Sequence, residues 1–162
     1  EKLDRRELQI NKTEVDINEM VREAAEHFML IVQNAGGTLE CKFEADHFIR
    51  SVDEVHMMNA VCNLIDNAIK YSGSEVAISI SCPLQAHTLT LAISDNGIGI
   101  PASEQSKIFD KFYRGNNIPD RNIPGIGLGL SYVRLLTEAH HGTITLTSQP
   151  GKGTTFVLCF PQ

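Results

Sequence analysis

The 162-residue chain has the length of a single domain and is acidic, with a formal net charge of −6 at pH 7. No apolar run approaches the roughly 20 residues that a membrane span needs, and the first residues contain no apolar segment typical of a signal peptide. Because the basic residues form no stripe, nucleic-acid binding is excluded as the main function. The sequence does not begin with Met, so we expect a fragment of a longer protein, of which this part does not itself contact a membrane.

The cysteines show none of the close spacings of zinc or redox motifs. They are Cys41, Cys62, Cys82 and Cys159. Three of them lie among apolar residues, which favours buried free thiols. Free thiols are typical of a reducing compartment, so we expect a cytoplasmic domain.

The first half of the chain predicts two helices and four strands. Apolar residues recur at helical spacing after Asp16, which is a candidate N-cap with Glu19 completing a capping box. The pair Gly36-Gly37 ends this helix. The expected elements are helices at 17–35 and 53–71 and strands at 38–43, 48–52, 75–81 and 87–94.

The second half begins with an irregular stretch. Residues 95–130 hold six of the twelve glycines and show little periodicity, and so long an irregular segment inside a compact domain is usually functional. A third helix is predicted at 128–140, followed by strands at 142–148 and 154–160 around a turn. Because strands and helices are grouped rather than alternating, the pattern predicts an α+β fold with a mixed sheet and helices on one face.

A polar stripe follows one face of the second predicted helix at i, i+3 and i+4 spacing. It consists of His56, Asn59, Asn63, Asn67 and Lys70. Such a stripe is consistent with a solvated helix face, but asparagine is a poor helix former. Amide oxygens suit Mg²⁺, and the Lys70 ammonium suits phosphate. The stripe therefore leaves two interpretations open, a solvated face and a nucleotide–metal site.

Two glycine-rich segments have the chemistry of ligand sites. Asp95 and the glycines of Asp95–Ile100 directly follow a strand, where the carboxylate can accept a hydrogen bond and the glycines allow close approach; a simple turn is the alternative. Gly125–Leu130 opens the third helix and can present N–H groups to phosphate. Its spacing is not the dinucleotide fingerprint, and Gly151–Thr154 lacks the first glycine of a P-loop.

Five segments in order resemble the boxes of histidine kinase catalytic domains, over about residues 10–162. They are Asn63–Ser72 (N box), Asp95–Gly99 (first glycine box), Phe109–Arg114 (F box), Gly125–Leu130 (second glycine box) and Gly151–Phe156 (last glycine box). The resemblance implies a Bergerat ATP-binding fold, a two-layer α/β sandwich with a mixed sheet and about three helices on one face. DNA gyrase and MutL share this fold.

The resemblance also implies roles. Asn67 would hold Mg²⁺, Asp95 would accept from the adenine amino group, and Arg114 would steady the γ-phosphate. Residues 115–127 would form a lid over ATP. The expected nucleotide site is Asn63, Asn67, Lys70, Tyr71, Asp95, Gly97, Gly99, Ile100, Tyr113, Arg114, Gly125, Gly127, Leu128, Gly129, Leu130 and Thr154, with Asn63 and Arg114 as catalytic residues.

Asn63 has a further implication. In the ATP-hydrolysing relatives a Glu in its place activates water, and an asparagine cannot act as a general base. We therefore expect this chain to bind ATP without hydrolysing it efficiently.

The family's acceptor histidine is followed by an acidic residue, whereas none of the six histidines here is followed by Asp or Glu. We therefore expect residues 1–9 to be at most a remnant of the dimerisation and phosphoacceptor hairpin or its linker, and 10–162 to be the catalytic domain. The resemblance implies that hairpin and a response-regulator receiver domain as partners. It also implies a monomeric fragment and a homodimeric, membrane-anchored parent.

Two other functions share the fold and stay open. One is a module that binds ATP only to change its contacts with partners, and the other is a serine kinase of the anti-sigma-factor type. The intact asparagine and glycine set favours phosphoryl transfer over the first. The F box and the long lid favour the histidine kinase over the second.

Overall fold

The computed structural model describes residues 8–72, 75–110 and 129–162. Seven strands and four helices occur in these ranges. In chain order they are β1 (Thr13–Asp16), α1 (Ile17–Asn34), β2 (Thr38–Phe43), β3 (Ile49–Val52), α2 (Glu54–Lys70), β4 (Ala77–Cys82), β5 (Thr88–Asp95), α3 (Ala102–Gln105), α4 (Gly129–Ala139), β6 (Thr143–Gln149) and β7 (Gly153–Pro161).

The main sheet has five strands in the order β2-β4-β5-β7-β6. Strands β2 and β4 are parallel and the remaining pairs are antiparallel, so the predicted mixed sheet is confirmed. One face of the sheet carries alternating apolar side chains that are buried, among them Ile80, Leu91 and Leu158.

The three long helices cover that apolar face and form the second layer. Helix α1 contacts β2, α2 contacts β5 and α4 contacts β6, while α2 lies between α1 and α4. The buried faces of α1 and α2 include Val21, Val32, Val61 and Leu64. This confirms the predicted two-layer α+β architecture with three helices on one face.

Carboxylates begin both helices of the first half. Asp16 accepts a hydrogen bond from the Glu19 backbone N–H at 3.4 Å, so the predicted N-cap of α1 is confirmed. Asp53 caps α2 by accepting from the His56 N–H at 3.1 Å and also accepts from the Asn11 N–H at 2.8 Å. The second contact ties the chain entering the domain to the start of α2.

The prediction missed two elements. Strand β1 pairs with β3 in a separate two-stranded sheet, and with four residues it is too short to show a clear period of two. Helix α3 is a single turn inside the irregular stretch. All four cysteines are free, but only Cys82 is buried, where burial raises the pKa of the thiol to about 11; the other three are half-buried, so fewer thiols are buried than the three expected. None of the helices in the described ranges is long and apolar enough to cross a membrane.

His140 connects α4 to the cap of α2 while buried. Its Nε2 accepts from the Asp53 backbone N–H at 3.0 Å, and its Nδ1 lies 2.9 Å from the Leu136 carbonyl oxygen. These contacts require the neutral ring with its proton on Nδ1. Burial lowers the pKa of His140, and the Lys12 ammonium and His56 lower it further, although the Leu136 carbonyl and the Asp53 carboxylate oppose them.

A folded-state pKa below the ordinary value of 6.5 means that the contribution of His140 to stability is present above that pH and is lost as the pH falls below it. We expect the free energy of unfolding to decrease between pH 7.5 and pH 5.5. In His140→Gln, whose amide can accept from Asp53 without titrating, the decrease should be smaller. Urea unfolding at both pH values measures this, and an identical decrease in both proteins would contradict the assignment.

Candidate active site

The loop after β5 closes against the end of α2. The Ile98 N–H donates to the Tyr71 carbonyl oxygen at 3.1 Å, and Tyr71 is the C-cap of α2, where its own N–H donates to the Asn67 carbonyl at 3.2 Å. The end of the N box and the first glycine box, which were predicted to belong to one site, are therefore in direct contact.

Asp95 ends β5 in the centre of the sheet, where its backbone pairs with Ile78 on β4 and Thr154 on β7. Its Oδ1 accepts from the Gly97 N–H at 2.7 Å. Burial raises the pKa of Asp95 above its usual value, and backbone hydrogen bonds from Gly97 and Thr154 oppose that rise. A partly desolvated carboxylate at a strand end is a strong acceptor for a ligand donor.

At Gly97, the position that a side chain would occupy beside this carboxylate is already filled by neighbouring atoms. A Cβ on Gly97 would lie 2.6 Å from the Tyr71 carbonyl oxygen and 2.8 Å from Asp95 Oδ1. Any side chain here would push the loop away from α2. Gly97 therefore allows the loop to pack closely against the end of α2, and its expected role in leaving room for a ligand stays a prediction.

Gly99 has a different reason to be glycine. Its φ is +74°, and a Cβ would lie 2.0 Å from the Gln149 carbonyl oxygen. The residue therefore lets the loop pack against the β6–β7 turn. The contacts of Gly99 show that it supports the loop, and its assignment to the nucleotide site stays a prediction.

Thr154, which pairs with Asp95, and Ser148 form a pair of hydroxyl groups, of which only Thr154 was predicted. Thr154 is buried, and its Oγ1 lies 2.9 Å from the Ser148 Oγ, which also accepts from the Ile100 N–H at 2.7 Å. The predicted residues Ile100 and Thr154 thus meet through Ser148. Ser148 was not predicted, although it follows Ile144 and Leu146 on the inward face of β6, and a polar residue in that alternation is the signal that identifies it.

The polar stripe of α2 divides into parts with different neighbours. His56 and Asn59 contact Tyr132 on α4. Asn63 lies beside the first residue of α4, since a Cβ on Gly129 would be 3.4 Å from its Oδ1. The second glycine box therefore reaches the N box here, and Leu130 continues α4 from the same point.

The charged end of the stripe is an ion pair. Lys70 Nζ lies 2.8 Å from Asp66 Oδ2, one helical turn away. A partly exposed pair of this kind contributes little to stability, so Lys70 can exchange Asp66 for a phosphate at low cost. Among the described residues, no cluster of three His, Cys, Asp or Glu side chains is arranged to hold a metal ion.

A groove of about 580 Å³ runs along α2 between α1 and α4. Its lining residues are Leu8, Phe28, His56, Asn59, Cys62, Asn63, Asp66 and Tyr132. The groove includes Asn63 but not Asp95, so it extends the phosphate side of the expected site rather than the adenine side.

Five expected site residues lie outside the described residues. They are Tyr113, Arg114, Gly125, Gly127 and Leu128. The lid expected at 115–127 and most of the F box lie there as well.

Comparison with known proteins shows the family of the chain. The profile of the family described as histidine kinase-, DNA gyrase B-, and HSP90-like ATPase matches residues 52–162. The sensor protein RprX of Bacteroides fragilis is 34% identical over 160 residues, which are 98% of this chain and 31% of that protein. The sensor-like histidine kinase SenX3 of Mycobacterium tuberculosis is 36% identical over 152 residues, covering 93% of this chain and 37% of that protein. The chain thus spans about a third of the length of these relatives.

Solved structures show the same fold. The catalytic domain of the histidine kinase ThkA superposes with a TM-score of 0.82 at 24% identity, covering 93% of this chain and 97% of that one. The mycobacterial sensor histidine kinase MprB gives a TM-score of 0.77 at 25% identity, with 93% and 97% covered. The expected Bergerat fold is confirmed. The chain belongs to the histidine kinase-, DNA gyrase B- and HSP90-like ATPase family, and within it matches the ATP-binding catalytic domains of sensor histidine kinases.

Proposed function

We propose that this domain binds Mg-ATP and donates the γ-phosphoryl group to a histidine on a separate helical hairpin. The observation that carries the proposal is that two groups of candidate ligand-binding residues lie along α2, one at the end of the helix and one near Asn63. The Asp95 carboxylate and Gly97 lie at the end of α2 beside Tyr71, and Asn63 lies next to the start of α4. Eight residues separate Asn63 from Tyr71, or about 12 Å along the helix axis, a length that suits an extended nucleotide.

The residues of each end have distinct tasks. Asp95 accepts from the adenine amino group, and Thr154 with Ser148 supports the base from behind. Tyr71 and Lys70 face the ribose and phosphates. Asn63 and the N–H groups at the start of α4 hold the phosphates, where the positive end of the helix dipole favours an anion.

The donor set fits a magnesium ion that arrives with the nucleotide. Asn63 and Asn67 offer neutral amide oxygens on one face of α2, and Mg²⁺ prefers to keep phosphates and waters as its other ligands. Asn67 would hold the ion jointly with ATP, and the ion would supply charge neutralisation at the phosphates. Arg114 would steady the γ-phosphate, and Asn63 offers no base to activate water.

The partners follow from the same chemistry. The phosphoryl group needs an acceptor imidazole, which we place on a dimerisation and phosphoacceptor hairpin outside 10–162. A response-regulator receiver domain would then receive it; ThkA, which has the same fold, has been solved in complex with the response regulator TrrA. We propose a cytoplasmic domain, monomeric alone, within a homodimeric, membrane-anchored sensor.

Calorimetric titration tests the binding half of the proposal. ATP is expected to bind with Mg²⁺ present and to bind more weakly in EDTA. Mg²⁺ alone is expected to give no saturable heat at millimolar concentration, because the described donors are neutral amides and a carboxylate already paired with Lys70. Tight binding of Mg²⁺ to the nucleotide-free protein, or ATP binding that ignores Mg²⁺, would contradict the shared site.

A further inference from the structure

Tyr132 joins α2 and α4 through its hydroxyl group. The oxygen lies 2.8 Å from His56 Nδ1 and 3.5 Å from the His56 carbonyl oxygen. The Asn59 side chain hydrogen-bonds the same hydroxyl. The two rings are 6.1 Å apart and tilted by 46°, so His56 also packs against Tyr132.

These contacts lie one helical turn from the place where Gly129 on α4 lies beside Asn63. Tyr132 follows Gly129 by three residues, and Asn59 precedes Asn63 by four, spacings that keep each pair on one face of its helix. The Gly129 backbone in turn lies beside Asn63, since a Cβ on Gly129 would be in ordinary contact with the Asn63 amide oxygen, at 3.4 Å. The Tyr132 contacts and the Gly129 contact therefore belong to the same helix–helix seam.

Both apolar packing and hydrogen bonds contribute to this seam. The buried residues between the helices include Val133 and Leu136 on α4 and Val61 and Leu64 on α2, and apolar burial is non-directional. Hydrogen bonds depend steeply on distance and angle. The Tyr132 hydroxyl contributes directional contacts between the first turn of α4 and α2, as His140 does beyond the other end of α4.

We propose that Tyr132 is a positioning residue for the phosphate end of the nucleotide site. It does not touch the nucleotide; it holds the first turn of α4 so that the Gly129 backbone and Asn63 face the phosphates together. Two of the five residues of the polar stripe on α2, His56 and Asn59, thus serve the site indirectly. This inference rests on the proposed function, since it takes Asn63 as a neighbour of the phosphates.

The test compares a ligand that has phosphates with one that lacks them. In Tyr132→Phe, the Kd for Mg-ATP is expected to rise about 2- to 10-fold, the effect of one neutral hydrogen bond. The Kd for adenosine, measured by NMR shift titration, is expected to stay the same. His56→Ala should weaken ATP binding similarly, and the double variant should lose less than the two single losses combined, because both remove one interaction.

Thr137→Val is the matched control. It also deletes a hydroxyl on α4, one that donates to the Val133 carbonyl at 2.7 Å, but it lies beyond the seam at Asn63. Its ATP affinity is expected to equal that of the unmodified protein, while thermal unfolding reports any loss of stability in both variants.

Several results would overturn the proposal. They are an unchanged Kd for ATP in Tyr132→Phe, equal weakening of ATP and adenosine, and an equal loss in Thr137→Val. The proposed function has its own readout. If the unmodified protein does not bind ATP, or binds it independently of Asp95, both proposals fail; if Asp95-dependent binding persists and Tyr132→Phe has no effect, only the role of Tyr132 is wrong.

Discussion

Replacing Asp95 by alanine is expected to weaken ATP binding by about 1.5–3 kcal/mol, or roughly 10- to 150-fold. The variant removes a partly desolvated carboxylate whose Oδ1 is oriented by the Gly97 N–H at 2.7 Å. A charge-assisted hydrogen bond from such a group to a ligand amino group is worth more than a neutral one. Calorimetry with Mg-ATP measures the change.

Ser94→Ala is the control for this variant. Ser94 precedes Asp95 on β5, points to the opposite face of the sheet and lies 2.8 Å from the Thr155 hydroxyl. Its ATP affinity should match that of the unmodified protein. An Asp95→Ala protein that is folded by circular dichroism and binds ATP with full affinity would refute the adenine assignment.

Replacing Asn67 by alanine is expected to slow phosphoryl transfer to the hairpin by at least about 100-fold, because a metal ion supplies several kcal/mol of charge stabilisation in such transfers. Asn67 lies half-buried on the stripe of α2 one turn before the Tyr71 cap. The loss should be partly reversed at high Mg²⁺ concentration, since the nucleotide phosphates still provide ligands. Single-turnover transfer across a range of Mg²⁺ concentrations measures this.

Asn34→Ala serves as its control, because Asn34 is exposed at the end of α1 and far in sequence from every proposed site residue. Transfer at its normal rate is expected there. If Asn67→Ala transfers at the normal rate at low Mg²⁺ concentration, the metal ligand lies elsewhere.

The sequence predicts the fold well where elements are long and periodic. Helices α1, α2 and α4 and the five strands of the main sheet lie within a few residues of their predicted ranges. The two-stranded sheet was missed because β1 and β3 have four residues each, and their pairing joins residues that are far apart in sequence, such as Val15 and Arg50, which are 35 positions apart. No local pattern reports a long-range pairing of that kind.

For the site, the sequence identified residues but not always their neighbours. The stripe from His56 to Lys70 predicts a shared helix face, yet nothing in that stripe shows that Tyr132 approaches His56 and Asn59 from another helix. Gly99 is glycine because of Gln149, a residue 50 positions later. Such contacts arise from tertiary packing, so residue type and spacing show that a position is constrained without showing what constrains it.

The most direct measurement is the transfer of radiolabel from γ-labelled ATP. We expect no acid-labile label on residues 1–162 alone, because phosphoryl transfer needs an imidazole held in line with the γ-phosphate. None of the six histidines is followed by an acidic residue. Adding the hairpin of the parent protein should give label on the hairpin, and a hairpin whose acceptor His is replaced by Gln should stay unlabelled. Robust acid-labile label on the fragment by itself, or no label on the intact hairpin when ATP is bound, would contradict the account.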